Sequence, residues 1–146
     1  MFNTNRVEIV EGGEFREKSV YNGLKKATSK YVLIHDGARP YVSEKLINNI
    51  VEKLEPNCAI VPYIDNGSEY DYKFNNKFIQ TPQAYDKDLL LSYMDKIADF
   101  SLYRDESSIL NSHVKINYIE GEKENKKITD VKDIVEWRSF RYDSEL

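Results

Sequence analysis

A short apolar run that stops abruptly on charged and turn-forming residues constrains this chain most: Tyr31–Pro40, YVLIHDGARP. The stretch Tyr31 to Ile34 has the length and unbroken apolar character of a buried strand in a parallel sheet, its carboxyl end opening into a loop. In open α/β sheets, ligands bind in the crevice beyond such strand ends. Here that position holds Asp36, Gly37 and Arg39. A carboxylate there can hold a cation, and the planar guanidinium fork suits a phosphate or carboxylate. On these ten residues alone, a turn closed by a local Asp–Arg pair is the simpler account.

The flanking chain alternates strand and helix. Val7–Val10 reads as a strand, broken by Gly12-Gly13, and Phe15 to Thr28 as a helix with Val20, Leu24 and Ala27 on one face. Gly23 weakens that helix by about 1 kcal/mol relative to alanine, which predicts a close packing neighbour. After the strand Tyr31–His35, Ser43 caps a helix Glu44–Leu54, and Cys58–Tyr63 is another strand. Asp65–Lys77 reads as a loop or short hairpin leading to the strand Lys77–Gln80, and Thr81-Pro82-Gln83 as a turn. Asp86 caps a helix Lys87–Ala98, Asp105–Asn111 is a shorter helix, and Val114–Glu120 is a strand. Lys126–Ile128 is a brief strand, and Asp130 caps a helix to about Trp137. The pattern predicts an α/β fold with a parallel sheet, one domain over residues 1–137 and a charged tail over 138–146.

The 146 residues suffice for one core, and a net charge of -4 argues against a nucleic-acid binder held by its phosphate field. No stretch approaches the ~20 apolar residues of a membrane span. The lone Cys58 lies in an apolar run and cannot form an internal disulfide, which fits a reducing, cytoplasmic setting. The opening MFNTNRVEIV lacks the basic region and apolar core expected of a signal peptide.

Several short motifs carry chemistry-bearing side chains. Gly12-Gly13, followed by Glu14 and Ser19, turns into a helix N-terminus whose backbone N–H groups are free to meet an anion or a base edge. A turn at Thr81 offers a hydroxyl and backbone groups. Asp105-Glu106 places two acids at a helix start, where the helix dipole alone favours them. In Glu120–Thr129, EGEKENKKIT, alternation along a strand sends Lys126 and Lys127 to opposite faces.

Taken together and in order, GGEFREKSVYNGL, HDGARP, QTPQAYDKDLLL, RDESS and EGEKENKKIT resemble the cytidylyltransferases that make CDP-alcohols. These are the methylerythritol-phosphate and ribitol-phosphate cytidylyltransferases. The resemblance implies a Rossmann-like nucleotidyltransferase sheet with flanking helices. It also implies CMP transfer from CTP to a polyol phosphate, 2-C-methyl-D-erythritol 4-phosphate foremost, with release of pyrophosphate and with Mg²⁺ as cofactor. By resemblance, Gly12, Gly13, Glu14 and Ser19 meet the cytosine, Glu14 standing where aspartate is usual. Asp36 is a metal or acceptor ligand, and Arg39 binds the acceptor or fixes Asp36. Thr81, Arg104 and Asp105 face the acceptor, Arg104 replacing an expected threonine. Asn125 matches the family's asparagine, and Lys127 aligns with the lysine that reaches the reacting α-phosphate. Arg16 is a structural or phosphate-side partner, and His35 a locally bonded strand-end residue.

Two parts of the family pattern have no counterpart. The opening βαβ unit with its glycine-rich, arginine-bearing loop, on the order of 30 residues, is absent, and Asp65–Lys77 is shorter than the family's dimer arm and lacks its arginine. The expectation is therefore a homodimer, or a partner supplying the missing segment. The alternatives are a ribitol-5-phosphate enzyme, or a non-catalytic homologue that binds an alcohol phosphate or a partner protein.

Overall fold

The computed structural model describes residues 6–134. Six strands form one mixed sheet: β1 (Tyr31–Ile34), β2 (Ala59–Ile64), β3 (Lys73–Phe74), β4 (Lys77–Ile79), β5 (Gln83–Asp86) and β6 (Asn117–Glu120). Helices α1 (Arg16–Lys26), α2 (Glu44–Val51), α3 (Lys87–Met94) and α4 (Glu106–Leu110) pack around it. β2 is the hub. On one edge it pairs with β6 in parallel, from Ile60 opposite Asn117 to Tyr63 opposite Glu120. Its other edge is shared: Ala59 and Ile60 pair with β5, and Tyr63 and Ile64 with β4, both antiparallel.

Side chains of β2 alternate between two cores, as the pleat requires. Ala59 and Val61 face Leu24, Tyr85, Leu90, Met94, Ile109 and Leu110, the side covered by α1, α3 and α4. Cys58 and Ile60 face Leu46, Ile50 and Ala84 under α2. Local signals set several element ends. Ser43 Oγ accepts from Leu46 N at 3.0 Å and starts α2. Asp86 Oδ1 accepts from Leu89 N at 3.3 Å and starts α3. Asn75 and Asn76, both at positive φ (48° and 65°), turn β3 into β4 as a two-residue hairpin.

Four expectations change. The sheet is mixed rather than parallel: β1 runs antiparallel to β5, with Tyr31 opposite Asp86 and Ile34 opposite Gln83. The apolar run fixes neither the direction of its neighbour nor full burial: β1 ends the strand order, is only half-buried, and leaves Leu33 39% exposed. That neighbour, β5, reads QAYD and looks like the end of a turn, yet all four residues are buried. Residues 7–10 form no strand, and Ile9 is 94% exposed. Gly23 has no neighbour: a Cβ added there meets nothing within 4 Å. Lys126–Ile128 is irregular chain, tethered where Ile128 N donates to Ala38 O at 2.8 Å. Residues 131–134 are helical, and Asp130 Oδ1 accepts from Asp133 N at 3.1 Å. The expected continuation to Trp137 and the tail 138–146 lie outside the described residues.

Candidate active-site cleft

The site begins at a gap in the sheet. Pro82 has no N–H for the ladder, so the chain running beside β2 is interrupted between β4 and β5. Only Gln80 N holds on there, donating to Pro62 O at 2.9 Å. The gap faces the end of β1, and the two meet: Asp36 N donates to Thr81 Oγ1 at 2.9 Å. His35 Nδ1 lies 3.0 Å from the same hydroxyl, and His35 Nε2 lies 2.9 Å from Arg39 O. A neutral imidazole satisfies both by accepting from Thr81 at Nδ1 and donating from Nε2. His35 is thus a locally bonded residue, as expected.

Behind the gap, residues 121–128 form a latch. Gln80 Nε2 donates to Glu122 O at 2.9 Å and to Asn125 O at 3.2 Å, while Gln80 Oε1 accepts from Glu122 N at 3.1 Å. A Cβ on Gly121 would stand 2.4 Å from Gln80 Oε1 and 3.0 Å from Tyr63 O, so the close approach requires glycine. Asn125, fully buried, donates to Thr81 O at 2.7 Å. Ser43 Oγ, beyond capping α2, donates to Glu122 Oε1.

The cleft has a volume of about 120 Å³ and is lined by Arg16, Asp36, Arg39, Thr81, Arg104 and Lys127, among others. Asp36 lies at its centre between guanidinium groups. Its Oδ1 accepts from Arg16 Nη2 at 2.9 Å and Nε at 3.3 Å, and its Oδ2 faces Arg39 Nε at 3.4 Å. Burial alone would raise the Asp36 pKa, but Arg16, Lys127 and Arg39 outweigh it and hold the carboxyl below its ordinary value. Arg39 is only 3% exposed. Its Nη1 donates to Asn125 O at 2.9 Å, and its Nη2 donates to Asp71 Oδ1 at 3.1 Å and to Ile79 O at 3.4 Å. Of the two roles expected for Arg39, fixing Asp36 fits this geometry and binding the acceptor does not.

Asp105 is similarly engaged. Its Oδ1 accepts from Ser107 Oγ at 2.5 Å and Ser108 N at 3.0 Å, capping α4, and its Oδ2 accepts from Gln83 Nε2 at 2.9 Å. It therefore shapes the cleft wall rather than offering a free oxygen to an acceptor. Thr81, bonded through its hydroxyl and carbonyl, aligns the two loops. By contrast, the Arg104 and Lys127 side chains line the cleft without a hydrogen bond or ion pair to any described residue. Lys126 points away, its Nζ 4.0 Å from Asp133 Oδ1.

The four residues expected at the cytosine do not line this cleft. Gly13 N is not free: it donates to Ser19 Oγ at 2.9 Å, and Ser19 in turn donates to Phe15 O at 3.4 Å. Gly12 and Glu14 lie on the same exposed turn. What ties this turn to the cleft is Arg16, the first residue of α1.

Glu106 is the residue that the sequence hides. It is fully buried, and its Oε1 accepts from Arg16 Nη1 at 2.7 Å. An acid in a first helical turn needs no explanation beyond the dipole, so nothing local marks it. Gln80, Gln83, Tyr70 and Tyr72 complete the surroundings and are equally silent in the sequence.

This donor set offers little to a Mg²⁺ ion. Asp36 has both oxygens turned to guanidinium groups, and no group of three His, Cys, Asp or Glu side chains that could hold a metal exists among the described residues. The residues present do not fit a protein-held Mg²⁺, and Asp36 is not arranged as a metal ligand.

Comparison with known proteins finds the family that the sequence motifs resemble. A family model, IspD: 2-C-methyl-D-erythritol 4-phosphate cytidylyltransferase, matches residues 1–65. The 2-C-methyl-D-erythritol 4-phosphate cytidylyltransferase of Clostridium beijerinckii is 36% identical over 143 residues, covering 88% of this chain and 63% of that protein. That of Bacteroides fragilis is 35% identical, covering 86% and 63%. The crystal structure of the enzyme from Thermus thermophilus superposes with a TM-score of 0.79 at 26% identity, covering 91% of this chain and 72% of that one. The chain thus spans just under two thirds of the length of these curated relatives. Over about nine tenths of its length the chain is thus similar in sequence and fold to 2-C-methyl-D-erythritol 4-phosphate cytidylyltransferases.

Proposed function

We propose that the chain carries the acceptor-side half of a CTP-dependent cytidylyl transfer to a polyol phosphate, 2-C-methyl-D-erythritol 4-phosphate foremost. The observation that carries this reading is the cleft itself, where five separate stretches bring Arg16, Asp36, Thr81, Arg104 and Lys127 together. In the reaction, an acceptor phosphate oxygen forms a bond to the α-phosphorus of CTP. The bond from that phosphorus to the bridging oxygen breaks, and pyrophosphate leaves with its electron pair. Such chemistry asks a protein mainly for positioning and charge stabilisation. Lys127, unpaired and facing Asp36, supplies positive charge to the developing phosphoryl oxygens. Arg104, also unpaired, takes the acceptor phosphate, a task for which the guanidinium fork is suited. Asp36, held by Arg16 and Arg39, is set to accept hydrogen bonds from acceptor hydroxyls.

Mg²⁺ belongs to the same proposal only as an ion brought in on the nucleotide, and no step here is routed through it. A homodimer, or a partner that completes the nucleotide side, and a cytoplasmic location are further parts of it. Isothermal calorimetry of CTP with Mg²⁺, followed by a pyrophosphate-release assay with the acceptor, tests the reading. Binding is expected, with turnover that falls about 100-fold in Lys127→Ala. Acceptor phosphate binding without pyrophosphate release under any supplement would replace it with a non-catalytic binding role.

A further inference from the structure

The mechanism above gives no role to Glu106, the most deeply buried acid among the described residues. Glu106 is 0% exposed, and its Oε2 is buried without a hydrogen-bond partner among the described residues. Its other oxygen holds Arg16 Nη1 at 2.7 Å, and the remaining face of that guanidinium holds Asp36 at 2.9 Å. Arg16 is thus a bridge from the protein interior to the cleft. We propose that Glu106 is a positioning residue that sets how strongly the cleft attracts a tetrahedral dianion, by gripping Arg16 and drawing on its charge.

The groups facing this bridge are few. From α1 come Arg16 itself and Glu17, which is buried and whose Oε1 is 3.6 Å from Arg16 Nη1. Asp105 precedes Glu106 on α4, Tyr85 of β5 lies within its field, and Asp36 closes the far side of Arg16. With Glu106 ionised, Arg16 is shared among three carboxylates, and little of its charge reaches the cleft. With Glu106 neutral, Arg16 has more to offer an incoming anion. Burial, aided by Asp105 and opposed by Arg16, pushes the Glu106 carboxyl up to about 7, so both forms are accessible near neutrality. An anion that prefers the neutral form then takes up protons as it binds, by linkage.

This inference deepens the reading of the cleft as a phosphate-handling site, yet its test uses no nucleotide and stands whether or not CMP is transferred. Inorganic sulfate is the probe, because it stays a dianion across the range. Calorimetry should show its affinity falling about tenfold from pH 6 to pH 8, below the roughly hundredfold limit for one linked proton. At pH 7, buffers of different ionisation enthalpy should reveal uptake of a fraction of a proton per sulfate. Glu106→Gln keeps the shape and an acceptor for Arg16. It should bind sulfate with a nearly flat pH profile, and at pH 8 more tightly than the wild type. A purely structural role would instead weaken binding equally at every pH.

A second readout needs no variant. The sulfate-induced infrared difference spectrum of the wild type should lose carboxylate absorbance and gain that of a protonated carboxylic acid. Changes confined to imidazole bands, proton uptake that persists in Glu106→Gln, or absence of sulfate binding at pH 6 would each overturn the proposal.

Discussion

The latch formed by residues 121–128 and the mouth of the cleft lie side by side, yet they treat polar groups in opposite ways. In the latch, Gln80, Arg39 and Asn125 are almost completely out of solvent and tied to backbone carbonyls of neighbouring loops. At the mouth, Arg104 and Lys127 hold no described partner. A buried guanidinium stripped of hydrogen bonds would be costly, so the latch must satisfy its groups internally. An exposed cation can leave its bonds to water until a ligand arrives. Structural and functional cations therefore sit within one cleft, separated by burial. That separation predicts which substitutions harm the fold and which harm binding.

The largest expected effect is on the latch. Arg39→Met removes one donor each from Asp36, Asp71, Asn125 O and Ile79 O, and should cost about 3–5 kcal/mol, as for breaking a buried ion pair. Urea unfolding with an unchanged m-value measures it. Arg104→Met in the same assay should stay within about 0.5 kcal/mol. Equal effects of the two arginines would erase the distinction. Lys127→Ala tests the other side: cytidylyl transfer should fall about 100-fold, a loss of about 2.7 kcal/mol in transition-state stabilisation, with stability unchanged. A large loss of stability in that variant would move Lys127 into the latch.

Much of this architecture is legible where the signal is local. Ser43, Asp86 and Asp130 announce helix starts because a cap is made by the residue itself to the next turn. β5 is illegible because its pattern is polar: Gln83 and Asp86 are buried only because Asp105, Asn57 and Leu89 meet them. Residues 7–10 carry a strand-like alternation, but a strand exists only by pairing, and no described residue pairs with them. The site follows the same division. Asp36, Thr81, Arg104 and Lys127 are found by motif, and they do meet. The assignment of Arg39 and Asp105 to support rather than ligand contact depends on partners 22 to 86 positions away in the chain. Glu106 depends on Arg16, 90 positions away.

Smaller effects sharpen the same contrast at sites outside the cleft. Asp86 satisfies two backbone groups, Asn57 N at 2.9 Å and Leu89 N at 3.3 Å, so Asp86→Ala should cost about 1–2 kcal/mol. Burial would raise its carboxyl pKa, but those hydrogen bonds outweigh it and hold the pKa below its ordinary value. Its contribution is therefore complete above the unfolded carboxyl range near pH 4 and is lost as pH falls through the lower folded value. Unfolding curves between pH 5 and pH 2 should show a shallower acid loss in Asp86→Ala. Gly23 is the least demanding position of all. It sits inside α1 with nothing within 4 Å of an added Cβ, and no described glycine has positive φ. Gly23→Ala should therefore stabilise the chain by about 0.5–1 kcal/mol, through the lower backbone entropy of its unfolded state. A loss of stability instead would show that this helix face is packed closely against another surface in solution.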